Sequence, residues 1–106
     1  MAQKWLINNG QILISASVGY HSELAKDHST TRGGGLWFIQ DNNLYLYGKS
    51  MDYGAVSKEL LIETISKDWI FQERFANMNI YFSDYEHEFL AMKEAEKLEI
   101  TLPEPK

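Results

Sequence analysis

The sequence predicts one α/β domain: a mixed β-sheet flanked by helices, with an additional helix at the C-terminal end. Two observations predict it. Short apolar runs bounded by Asn, Asp and Gly alternate with stretches of helical period, in the order β, α, β-hairpin, α, β, α. The chain also has 106 residues, 44% of them hydrophobic, which is enough for one core but not for two. Residues 1–101 form the expected domain, and 102–106, with Pro103 and Pro105, a frayed tail.

Each element has a local reason. Trp5-Leu6-Ile7 before Asn8-Asn9-Gly10 reads as an edge strand entering a tight turn, because Asn and Gly tolerate positive φ. Ile12-Leu13-Ile14, within Gln11 to Ser17, reads as a buried strand. Tyr20 to His28 suits a short helix that Ser29-Thr30-Thr31 then breaks. Gly33-Gly34-Gly35 opens the run Leu36-Trp37-Phe38-Ile39, and Asp41-Asn42-Asn43 turns it back into Leu44-Tyr45-Leu46-Tyr47, a hairpin. Ala55 to Lys67 is the clearest helix, with Val56, Leu60, Leu61 and Ile65 on one stripe. Met78 to Phe82 alternates like a strand. Ser83 or Asp84 then caps a last helix with Tyr85, Phe89 and Met92 on one side. Trp5, Trp37 and Trp69 lie beside these elements, positions that suggest the core without deciding it for all three.

Composition narrows the chemistry. With no cysteine there is no disulfide, thiolate metal site or thiol nucleophile. The net charge of −5 speaks against nucleic acid as partner, and no apolar run reaches the length of a membrane span. The N-terminus lacks the apolar core of a signal peptide, so a cytoplasmic protein is expected. The charge is uneven. Residues 1–83 hold eight acids and seven bases, whereas 84–106 hold seven acids and three bases. The body of the domain is therefore close to neutral and compatible with an anion site.

Two segments are candidates for that site. Tyr47-Gly48-Lys49-Ser50-Met51-Asp52-Tyr53-Gly54 joins a strand to the main helix, where backbone N–H groups, the Ser50 hydroxyl and Lys49 can converge on one anion. The alternative is an ordinary connection in which Ser50 or Asp52 caps the helix. The spacing is not that of a P-loop. Three consecutive glycines weaken a strand, so Gly33-Gly34-Gly35 implies close backbone approach or unusual dihedrals, or else a flexible turn. His21 and His28 stand about two turns apart on a helix, too far to share a metal, so no metal site is expected. His28 and His87 read as ordinary polar positions.

Taken in order, Tyr20-His21, the glycine triplet with its hairpin, and Tyr47-Gly48-x-Ser50-Met51-x-Tyr53-Gly54 before a helix resemble the Janus/Ocnus family of phosphohistidine phosphatase-like proteins. The motifs span residues 20–54. The resemblance implies a mixed sheet flanked by helices and a phosphatase that needs no metal or other cofactor, acting on phosphohistidine or a related phosphoramidate. It implies His21 as catalyst, as general base or nucleophile. It places Ser50 against the phosphate, Asp52 at the next contacting position and Gly35 beside the site; Lys49 joins these phosphate-binding candidates from the loop reading. The chain departs from the family pattern at Leu36, where the family has an arginine, and at Asp52, where it has a small neutral residue. The family's first-strand lysine falls near Gln11 or Ile12, so that cation is expected to be missing, with Lys49 and Arg32 the nearest substitutes.

The expected function is thus a metal-independent phosphatase-like protein whose partner is a phosphorylated protein or a small anionic ligand. The alternative is a non-catalytic module that binds a phosphorylated or nucleotide-like ligand or a partner protein.

Overall fold

Among the described residues six strands form a single sheet in the order β2-β1-β3-β4-β5-β6. The structure, a computed structural model, describes residues 2–18, 21–26 and 28–99. β1 (Ala2–Asn8) and β2 (Gln11–Val18) make an antiparallel hairpin whose turn, Asn9-Gly10, has positive φ at both residues. β3 (Thr31–Gln40) pairs antiparallel with β1 on one side and with β4 (Asn43–Tyr47) on the other. β4 pairs parallel with β5 (Asn79–Ser83), which requires a crossover. α2 (Lys58–Lys67) and α3 (Trp69–Arg74) supply it. A mixed sheet with helices is the expected α/β architecture.

The pleat divides the sheet into two faces. Trp5, Ile7, Ile12, Trp37, Leu44, Leu46, Ile80 and Phe82 meet Leu61 and Ile65 of α2 and Phe71 and Phe75 of α3, and this is the core. Lys4, Leu6 and Asn8 alternate with those core residues and so point to the opposite face. There the short helix α1 (His21–Leu24) packs against β1 and β2. Phe38, Tyr45 and Tyr81 stack across three strands, with ring centroids 4.7 and 5.1 Å apart. α4 (Glu88–Glu94) lies beside β4 and β5.

Several expectations are corrected. β1 is interior and β2 is the edge strand, the reverse of the sequence reading. The glycine triplet lies inside β3, not before it: a Cβ on Gly34 would stand 2.1 Å from the Trp5 carbonyl oxygen. The helix expected over Tyr20 to His28 is only four residues long, and Tyr20 lies outside the described residues. Asn8 ends it by accepting the Lys26 N–H at 2.8 Å while donating to the hydroxyls of Thr30 and Thr31. A turn of 3-10 helix, His28–Thr30, then leads into β3.

α2 starts at Lys58, not Ala55, because Ser57 is its cap: the Ser57 hydroxyl accepts the Leu60 N–H. Neither Ser50 nor Asp52 caps it. α3 was not expected. Asp68 creates it by accepting the Phe71 N–H at 3.1 Å, and Trp69, 59% exposed, is no core residue. α4 starts at Glu88 with His87 as cap, several residues after Ser83 and Asp84. Its buried residue is Ala91, while Tyr85 and Phe89 are exposed. Glu96 and Lys97 form a short strand, β6, beside β5, and Leu98 returns to the core.

Candidate functional site

The strand-to-helix loop after β4, the start of α1 and the first strand meet around one cleft of about 450 Å³. β1 contributes Lys4, α1 contributes His21, and the loop contributes Gly48, Lys49, Met51 and Asp52. Leu36 and Glu86 complete it. Of the residues the sequence singled out, His21, Lys49 and Asp52 therefore share a cleft. Ser50 and Gly35 stand behind it.

His21 is buried, and its Nε2 lies 2.7 Å from the Gly35 carbonyl oxygen. A carbonyl only accepts, so Nε2 carries the hydrogen and Nδ1 holds the lone pair of the neutral ring. Burial pushes the imidazole below the ordinary histidine pKa of 6.5, and the charge of Lys4 pushes the same way. The Gly35 bond and the Asp52 carboxylate oppose the shift without reversing it. At neutral pH the ring is a neutral base.

The glycine triplet makes this geometry available. A Cβ on Gly35 would stand 2.2 Å from the Tyr47 carbonyl oxygen, so only glycine brings that stretch of β3 so close to β4. The close approach inferred from three consecutive glycines is the reason for them.

Ser50 is fully buried, with backbone bonds to Gly54 in both directions, N–H to carbonyl at 3.1 and 2.8 Å. Its hydroxyl oxygen accepts the N–H groups of Asp52 at 3.2 Å and Tyr53 at 3.0 Å. It therefore organises the loop from within. Gly54 extends this by accepting the Gly34 N–H, which ties the loop to β3.

Lys49 pairs with Glu86 at 3.3 Å, both half-exposed. Lys4, which the sequence reading did not single out, also lines the cleft. It stands on β1, the strand beside the cleft. The missed signal was a lysine beginning the run Trp5-Leu6-Ile7, which reads as an ordinary flank only if that strand lies at an edge. Glu86 had no local signal, since it reaches the cleft through the segment between β5 and α4. Among the described residues the lining thus carries two cations and two carboxylates.

A larger cavity of about 680 Å³ lies elsewhere, beside the start of α2. Its charged lining is Lys58, Glu59, Asp84, Glu94 and Glu96, a poor environment for an anion. Among the described residues no group of three His, Asp or Glu is placed to hold a metal ion. No helix among them is long and apolar enough to cross a membrane. Compared with family models, curated proteins and solved structures, the chain gives no significant match.

Proposed function

We propose that the chain is a phosphatase-like protein that cleaves phosphohistidine or a related phosphoramidate in the His21 cleft. The observation that carries this reading is a buried, neutral histidine beside two lysines in one cleft. The Nδ1 lone pair attacks phosphorus directly, or takes a proton from the water that does. In the first case the Nδ1–P bond forms as the substrate P–N bond breaks, the leaving nitrogen takes a proton from solvent, and water then cleaves the Nδ1–P bond to release phosphate. In the second, Nδ1 passes the water's proton to the leaving nitrogen as the P–N bond breaks. Lys4 and Lys49 neutralise the phosphoryl oxygens as charge develops on them. Lys49 does so by exchanging Glu86 for the phosphate, a small cost for an exposed pair. Ser50 is a positioning residue in this scheme, and Gly35 fixes the tautomer of His21.

Phosphate release from a phosphohistidine peptide, by the wild type and by His21→Ala, tests it. The wild type is expected to turn over and the variant to lose at least about a hundredfold, the usual range for a general base. No turnover by the wild type, or equal rates, rejects the catalytic reading.

One observation favours a second reading, a non-catalytic module for a phosphorylated ligand. Among the described residues the cleft's two cations are matched by Asp52 and Glu86. In that case phosphate shifts the amides of residues 48–54 in NMR spectra without any hydrolysis.

A further inference from the structure

The long outer edge of the sheet carries an unexplained groove. β2 reads Gln11-Ile12-Leu13-Ile14-Ser15-Ala16-Ser17-Val18, with neither a charge nor a proline to guard it. Edge strands usually carry such guards, because an open row of N–H and C=O groups invites another strand. The outward direction is marked by Asp68, whose Oδ2 accepts the Ile12 N–H at 2.8 Å on the side where no described strand pairs with β2. Antiparallel strands alternate inward and outward amides, so the backbone of Ile14 faces the same way.

A cavity of about 220 Å³ lies along this edge. Ile12, Leu13 and Ile14 all line it, although consecutive side chains point to opposite faces of the sheet. A space reached from both faces of one strand runs beside that strand. Its first wall is α3, with Ile70 and Arg74; its second is the segment after α1, with Leu24 and Lys26. Ile70 is 71% exposed and Trp69 continues the apolar surface beside it. Among the described residues the charged side chains lining the groove are Lys26 and Arg74, one on each wall and both positive, on a chain of net charge −5. The Asp68 carboxylate at its end is taken up by the Ile12 and Phe71 amides.

We infer that this groove docks an extended acidic peptide segment of a partner protein, added to β2 as a seventh strand. Main-chain bonds to the β2 edge supply the register, and apolar side chains cover Ile70 and Leu24. Because the two cations sit on opposite faces, the carboxylates that meet them stand at an odd spacing in the partner, next to each other or three apart. A second copy of this chain is the poorer occupant, since β2 against β2 brings the same cations together.

The test uses a fluorescein-labelled heptapeptide of valine and threonine with two adjacent glutamates, and its counterpart with two lysines. At low ionic strength the acidic peptide is expected to bind the full chain at least about tenfold more tightly, and added salt narrows the gap. Lys26→Glu with Arg74→Glu, both exposed and so compatible with an unchanged circular dichroism spectrum, is expected to abolish the preference. The Ile14 amide is expected to shift and gain hydrogen-exchange protection. Equal binding of both peptides, no binding of the acidic one, or a double variant that keeps the preference overturns the inference. So do shifts confined to the His21 cleft, or a wild type that sediments as a dimer with Ile14 already protected.

Discussion

The His21 ring donates its Nε2 hydrogen to the carbonyl of Gly35 across 2.7 Å. A helix of four residues is thereby fastened to the sheet at the one stretch of β3 where no side chain intervenes. The bond selects a tautomer and an orientation together, and both belong to the candidate chemistry. Four predictions follow from this site and from the residues that support it.

His21 is expected to titrate below 6.5, because burial and then Lys4 disfavour its protonated form. Histidine ring NMR across a pH series measures this directly. Lys4→Met raises the midpoint and Asp52→Asn lowers it. The unfolded chain takes up this proton near 6.5 and the folded chain only at lower pH. This contribution to stability is therefore complete above 6.5 and is lost as the pH falls from there to the folded value. Urea unfolding at neutral and mildly acidic pH reads the difference, which His21→Gln removes. Any turnover rises through the same midpoint and is flat above it.

Glu86→Gln releases Lys49 from its pair. An exposed ion pair contributes at most about 1 kcal/mol, so phosphate affinity is expected to rise by up to roughly fivefold. Phosphate titration followed by the amides of residues 48–54 checks it. An unchanged or weaker affinity shows that Lys49 takes no part.

Ser50→Ala removes the acceptor of the Asp52 and Tyr53 amides in a buried loop. The expected cost is about 2 kcal/mol, seen as a lower urea midpoint at constant slope. Ser50→Thr, which keeps the oxygen but adds a methyl group to a filled site, separates lost hydrogen bonds from packing.

Asp68→Ala leaves two amides without their acceptor, Ile12 at the sheet edge and Phe71 at the start of α3. The cost is expected near 3 kcal/mol, since both bonds go to a carboxylate in buried surroundings. Asp68→Asn, which retains an acceptor oxygen, recovers part of it. Thermal unfolding of the three proteins ranks them.

Much of the fold was legible wherever the information is local. Leu36 to Tyr47 declares a hairpin through its turn, and Asn79 to Ser83 a strand through its alternation, one residue later than expected. The stripe Leu61/Ile65 declares α2, but its start depended on choosing among three capping side chains, and the geometry of Ser57 decided that. α3 escaped notice because it exposes Trp69 and Ile70 and buries only Phe71, so no apolar stripe marks it. The order of strands was not legible, since it depends on which distant partner each edge finds. That one exchange, β1 inside and β2 outside, also hid Lys4 from the candidate site. His21 and Asp52 come from motif order and Lys49 from the loop, and the three line one cleft, but the inward turn of Ser50 appears only once the loop closes on Gly54.

At Gly34 even alanine would drive its methyl carbon into the Trp5 carbonyl and the Leu6 backbone. A survey of every substitution would thus find this position intolerant, with the same signature that a reactive side chain produces. Yet Gly34 has no side chain to react, and what it protects is the spacing between two strands. Its part of the glycine motif describes how the sheet is assembled, and the reaction has to be read from His21.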